Sequence, residues 1–141
     1  MDDRGRLEGF LGIDFSFGEK GHYHMSQERY TTKILRKFKM ENCKPAATPA
    51  GKGIQLLSNN NTETDDTKNY PYREAIGGLL YLMTATRPDI CWTVSKLSQY
   101  LNNPGKPQLE ALKRWFRYIQ VTKHYKLTFT QSRGNLTGYC D

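Results

Sequence analysis

Residues 58–69, SNNNTETDDTKN, carry no aliphatic or aromatic side chain, so the stretch has no apolar area to bury against the entropy cost of ordering it. The two prolines of KPAATPA (44–50) extend the break toward the N-terminus. Residues 41–69 are therefore expected to form a long exposed connector with a disordered second half, and any core has to be assembled from the sequence on either side.

On the N-terminal side, FLGIDFSF (10–17) alternates, placing Leu11, Ile13, Phe15 and Phe17 on one face and Gly12, Asp14 and Ser16 on the other. GEKG (18–21) supplies turn residues and HYHMS resumes the alternation through Tyr23 and Met25, which predicts a β-hairpin. Ser26 can cap a helix over 27–40, where Tyr30, Ile34 and Phe38 recur at every fourth position and Leu35 widens the stripe.

Beyond the connector, three helices are predicted. Pro71 suits a first turn, with Ile76, Leu79, Leu80, Leu82 and Met83 on a wide apolar face. TRPD (86–89) has the Thr-x-x-Asp spacing of a capping box, opening a helix over 87–102 with Ile90, Val94, Leu97 and Leu101 inward. NNPGKP (102–107) stops it, and a third helix runs to about residue 122 with Leu109, Leu112, Phe116 and Ile119 inward. YKLTFT and LTGYCD read as two short closing strands. The expected class is α+β: an N-terminal β-hairpin and helix, an exposed linker, a three-helix unit and a C-terminal strand pair, together a partial domain.

A hydrophobic fraction of 37% in 141 residues gives a modest core, or a surface that belongs against something else. No apolar run reaches the length of a membrane span, and the first residues lack a signal-peptide core. Cys43, Cys91 and Cys140 are odd in number and widely spaced, which points to a reducing compartment and away from a disulfide framework or structural zinc.

Twenty-one Lys and Arg against fourteen acids give a formal charge of +7, which favours polyanionic partners. The excess is clustered. One helix presents Arg29, Lys33, Arg36, Lys37 and Lys39 against Glu28; another presents Lys106, Lys113, Arg114, Arg117 and Lys123 against Glu110, interleaved with Trp115 and Tyr118. Two readings stand: phosphate-binding surfaces, or helix faces that are simply solvated.

Catalytic patterns are incomplete. Asp2-Asp3 resembles a metal-binding pair but has no apolar strand before it. AGKG (50–53) fails as a phosphate loop because Ala46 stands where glycine is required. His22 and His24 share a side of a strand without a third ligand nearby in sequence. No nucleophile-elbow context surrounds any Ser or Cys, the two glycosylation sequons (60–62 and 135–137) lack a secretory context, and Asp141 is a lone carboxylate.

Read in order, FLGIDF, MSQERYTTKILRKFKM, TP (48–49), YREAIGGLLYLMTATRPDI, LSQYLNNPGKP, EALKRWFRYI and LTGYCD resemble the reverse transcriptase part of copia-type LTR retrotransposon Pol polyproteins, over nearly the whole chain from about Gly5 to Asp141. The resemblance implies a division into the end of the palm with a primer-grip hairpin and thumb-like helix (5–40), a flexible linker (41–69), a helical thumb and connection region (70–124) and a strand stub leading into RNase H (125–141). It places a primer grip at Phe10, Leu11, Gly12 and Ile13, although an ordinary core strand would use the same residues. It puts Arg29, Lys33, Arg36, Lys37, Lys113, Arg114 and Arg117 beside nucleic acid, and Asp141 as the first RNase H carboxylate of an incomplete metal site.

The family's polymerase aspartates would lie upstream of residue 1, so the expected role is template–primer binding rather than chemistry. No cofactor is expected for the fragment; Mg2+ belongs to the parent enzyme. The implied partners are an RNA–DNA hybrid or duplex and the remaining Pol domains, with no membrane. The implied location is cytoplasmic, in the parent element's virus-like particle, with the nucleus as a second site. Gln108-Leu109 and Val121-Thr122 depart from the family pattern, which usually has His-Trp and Gly-Thr there. The alternatives are a non-catalytic nucleic-acid- or protein-binding module retained from a transposon, and a pseudogene-like product with no stable fold.

Overall fold

The computed structural model describes residues 7–51 and 69–130. Four antiparallel strands, β1 (Gly9–Phe10), β2 (Ile13–Phe17), β3 (Tyr23–Ser26) and β4 (Lys126–Phe129), form a sheet in the order β1-β2-β3-β4. Among the described residues four α-helices accompany it: α1 (Glu28–Lys37), α2 (Tyr72–Ala85), α3 (Cys91–Ser98) and α4 (Lys106–Val121). The α+β class read from the sequence holds.

The sheet differs in detail from the expectation. FLGI is not one strand: Phe10 pairs with Ile13, and the chain reverses at Leu11 and Gly12, whose φ values are +50° and +76°. Two-residue hairpin turns that match the twist of their strands need positive φ at both central positions. Gly12 adopts it freely, whereas Leu11 does so against its own Cβ. The second hairpin forms over 18–21 as expected, with the Gly18 amide 3.0 Å from the His22 carbonyl. β4 then pairs with β3, Tyr23 opposite Phe129 and Ser26 opposite Lys126, so one closing strand joins the N-terminal hairpin. The other expected strand, 136–141, lies outside the described residues.

Helix stripes follow the 3.6-residue period. Ile34 and Leu35 of α1, Ile76, Leu79 and Leu82 of α2, Val94 and Leu97 of α3, and Leu112, Phe116 and Ile119 of α4 enter one buried cluster. Trp115, expected on the basic face, is fully buried there. It stands three residues after Leu112 and four before Ile119, and that spacing fixes its face more firmly than its basic neighbours do. The cluster runs across the connector. Within the connector's first part Ala46 is buried, and the Thr48 hydroxyl accepts from Arg114 Nη2 at 3.0 Å.

Both expected caps are replaced by longer-range bonds. Ser26 stays in β3, and Gln27 becomes the N-cap of α1 without a side-chain cap bond. The Gln27 side chain is buried instead and accepts from the Thr86 hydroxyl at 2.8 Å, which removes Thr86 from its box with Asp89. Residues Pro88–Ile90 form a short 3-10 turn. At the start of α4 the departure from the family pattern is functional in the fold: buried Gln108 accepts the Gly105 amide at 3.0 Å.

Arg87 is only 3% exposed. It donates Nε and Nη2 to the two Asp89 oxygens at 2.9 and 2.7 Å, Nη1 to the Thr122 carbonyl at 3.0 Å and Nη2 to the Thr122 hydroxyl at 2.7 Å. The Tyr118 and Tyr125 rings lie 5.6 and 5.4 Å from its guanidinium. These contacts tie the turn before α3 to the end of α4 and the approach to β4. Burial pushes the Asp89 carboxyl up, but the Arg87 hydrogen bonds and charge, with the Tyr118 hydroxyl, outweigh it and hold Asp89 below the usual carboxylate range.

Arg87→Met is expected to lower stability by about 3 kcal/mol in urea unfolding, at the low end for a broken buried pair because Asp89 can rehydrate. Asp89 has a depressed folded pKa, so its contribution is fully present above about pH 4 and is lost as pH falls through the folded value. Asp89→Asn should therefore flatten the acid limb of a stability-versus-pH curve.

Candidate nucleic-acid interface

The reversal at Leu11–Gly12 brings the edge of the sheet against two helices. All four residues Phe10, Leu11, Gly12 and Ile13 line a cleft of about 440 Å3, whose other wall includes Arg29, Tyr30 and Lys33 of α1. The resemblance had assigned these two sets to a grip and a phosphate-binding face separately; the fold places them around one space.

The turn is held from below. The Tyr81 hydroxyl of α2 donates to the Leu11 carbonyl, and the Tyr30 ring packs edge-on against Tyr81 at 4.9 Å. A Cβ at Gly12 would meet only the Tyr81 hydroxyl at 3.8 Å and the Tyr30 and Tyr81 rings at 4.0 Å, so glycine serves the backbone angle there and not clearance. Above this support, Phe10 and Leu11 remain 58% and 71% exposed.

The cations are not equivalent. Arg29 places Nε 2.7 Å from Asp14 Oδ1, so at the cleft mouth its charge is already answered by a carboxylate of β2. Lys37 lies 2.6 Å from Glu74 of α2, and Arg36 lies 3.1 Å from Glu41. Lys33 makes no ion pair among the described residues. It also borders a second cleft of about 320 Å3 between α1 and α2, which shares Tyr30 and Lys33 with the first. Lys33 is thus the unneutralised cation at the junction of the two.

The α4 set turns elsewhere. Arg114 bonds Thr48, and Lys113 Nζ sits 6.0 Å from the Tyr70 ring. Burial pushes the Cys43 thiol up while the Arg117 charge draws it partly back, which sets Arg117 near the first part of the connector. None of the three lines the FLGI cleft.

Asp14, Tyr81 and Glu74 were missed from sequence. Asp14 sat on the polar face of an alternating strand and Tyr81 in the run LLYLM, but nothing local ties either to its partner. Among the described residues no group of three His, Cys, Asp or Glu side chains converges to hold a metal. His24 Nδ1 lies instead 2.9 Å from the Thr128 hydroxyl. Asp141 and Asp2-Asp3 lie outside the described residues, and no step can be derived through a metal here.

No family model matches the chain, and no solved structure matches it. Curated relatives do. The retrovirus-related Pol polyprotein from transposon TNT 1-94 of Nicotiana tabacum is 39% identical over 121 residues, 83% of this chain and 9% of that protein. The Pol polyprotein from transposon RE1 of Arabidopsis thaliana is 38% identical over 126 residues, 89% of this chain and 8% of that protein. A putative transposon Ty5-1 protein of Saccharomyces cerevisiae is 30% identical over the whole chain, which spans 46% of it. This chain belongs with the copia-type retrotransposon Pol polyproteins. It spans less than a tenth of the length of the two plant polyproteins and about half of the yeast protein.

In this Pol segment the FLGI turn is the part of the cleft under conformational constraint. Gly12→Ala is expected to cost about 1 kcal/mol in unfolding free energy, from the left-handed backbone alone. Ala at Gly77, where a Cβ meets nothing within 4 Å, should be neutral or slightly stabilising in the same assay, since helix propensity favours it.

Proposed function

We propose that this Pol segment is a template–primer-holding part of a reverse transcriptase, with polymerase and RNase H chemistry supplied by other Pol domains. The observation that carries the reading is the shared cleft: an apolar turn, exposed at Phe10 and Leu11, faces a basic helix across one space. Apolar side chains beside a backbone turn suit contact with sugar and base, while Lys33 suits a phosphate. The ligand class is an RNA–DNA hybrid or duplex. In this reading Asp141 is one carboxylate of an RNase H site, and one carboxylate does not clamp two Mg2+ ions.

Pairing within the fold lowers the number of phosphates the surface can neutralise. Arg29, Arg36, Lys37 and Arg114 already have partners, so the seven cations named from sequence overstate the electrostatic footprint. The salt dependence should reflect the smaller set.

Anisotropy of a short RNA–DNA hybrid titrated across salt concentrations tests this directly. Lys33→Gln should weaken binding and reduce the slope of log K against log salt by about 1. Asp14→Asn, which releases Arg29, should strengthen binding and steepen the slope by a similar amount. Binding indifferent to salt, or unchanged in Lys33→Gln, would overturn the proposal and favour a protein-binding module retained from a transposon. With Mg2+, nucleotides and a primed template, the chain alone is expected to extend no primer; measurable extension would refute the division of labour.

A further inference from the structure

The sheet carries a second feature, a row of exposed aromatic side chains. Directly opposed residues of antiparallel strands point to one face. The register therefore lines up Phe15, Met25 and Leu127 in one row and Phe17, Tyr23 and Phe129 in the next, on the same side. The reverse side carries Asp14, Ser16, His24, Ser26, Lys126 and Thr128. Among the described residues, the buried cluster that joins the helices contains no strand residue. The outer row is correspondingly open: Phe17, Tyr23 and Phe129 are 42%, 54% and 50% exposed.

Two of these rings frame a recess. Tyr23 and Phe129, with Gly21 and Thr130, line a space of about 180 Å3. Gly21, at φ +75°, borders the recess without a side chain. Phe17 packs edge-on against Tyr23, with ring centroids 5.2 Å apart and planes at 71°, which fixes the orientation of the Tyr23 ring.

We propose that this recess is a stacking site for an unpaired nucleobase of single-stranded nucleic acid, separate from the duplex cleft. The size of the surface argues against a protein partner or a second copy. Rings of this kind bury 150–250 Å2 each, so three at about half exposure offer roughly 300 Å2, well short of the ~800 Å2 per partner of a stable interface. The formal charge of +7 opposes self-association and attracts a polyanion. Every base has a π-face, so such a site accepts any sequence, whereas bases stacked inside a duplex cannot enter it.

The test uses the whole chain with a short oligo(dT) carrying one 2-aminopurine, whose fluorescence falls when the base stacks on an aromatic ring. Binding should quench it. Tyr23→Ala and Phe129→Ala should each weaken binding about five-fold or more and abolish the quench. Phe129→Leu keeps apolar bulk without a π-face and should behave as the alanine variant does. All three variants should leave hybrid binding unchanged, because neither Tyr23 nor Phe129 lines the cleft that holds Lys33. Retention of the quench in the alanine variants, or wild-type binding by Phe129→Leu, would overturn the proposal. So would sedimentation showing that the alanine substitutions convert an oligomer to a monomer, which would make the face a contact between copies. The hybrid assay with Lys33→Gln reads the duplex cleft independently, so failure of one site is distinguishable from failure of the other.

Discussion

The crossing of α1 over α2 decides whether the two ends of this chain form one body. Ile34 and Leu35 are the buried apolar residues through which α1 enters the cluster, and Gly78 leaves room for Ile34: a Cβ there would stand 3.0 Å from Ile34 Cδ1. The bonds between Gln27 and Thr86 and between Lys37 and Glu74 lie along the same contact. Remove that packing and Tyr81 no longer reaches Leu11, so the cleft loses its support as well as its wall. Hydrophobic burial at two side chains thus positions a polar surface some distance away.

Charge in this fold is used twice. Part of the basic excess is consumed internally, in the buried Arg87 cluster and in the pairs that join α1 to its neighbours. The remainder, with Lys33 foremost, is left at the surface. In the proposed role a polyanion would meet a mixture of free cations and cations that have to exchange a carboxylate for a phosphate. Such exchange contributes to selectivity more than to affinity, since the net gain is the difference between two similar interactions.

What was legible in the sequence was whatever repeats at a local period. The stripes of α2, α3 and α4 and the turn residues of GEKG declared themselves in this way. The Leu11–Gly12 turn did not, because leucine is a poor guide to a positive φ and the surrounding alternation favoured an unbroken strand. Thr86 and Ser26 had sound local capping chemistry, yet Gln27 and the strand pairing of β3 claimed them, a tertiary preference that no short window contains. Trp115 was misplaced by reading composition ahead of spacing. The two walls of the cleft were named separately; the Arg29–Asp14 pair joins them, and Tyr81, 70 residues from Leu11 in sequence, holds the turn from below. Asp141, with which the ordered resemblance ends, lies outside the described residues.

The pairing of β3 with β4 has a kinetic side. His24 and Thr128 meet across these strands although 104 residues separate them in sequence. Closing so long a loop is entropically costly until the helices between have packed and shortened the effective tether. The sheet is accordingly a late product of folding, and during synthesis on the ribosome the N-terminal hairpin has to wait, its outer edge unpaired, until nearly all of the described chain has emerged.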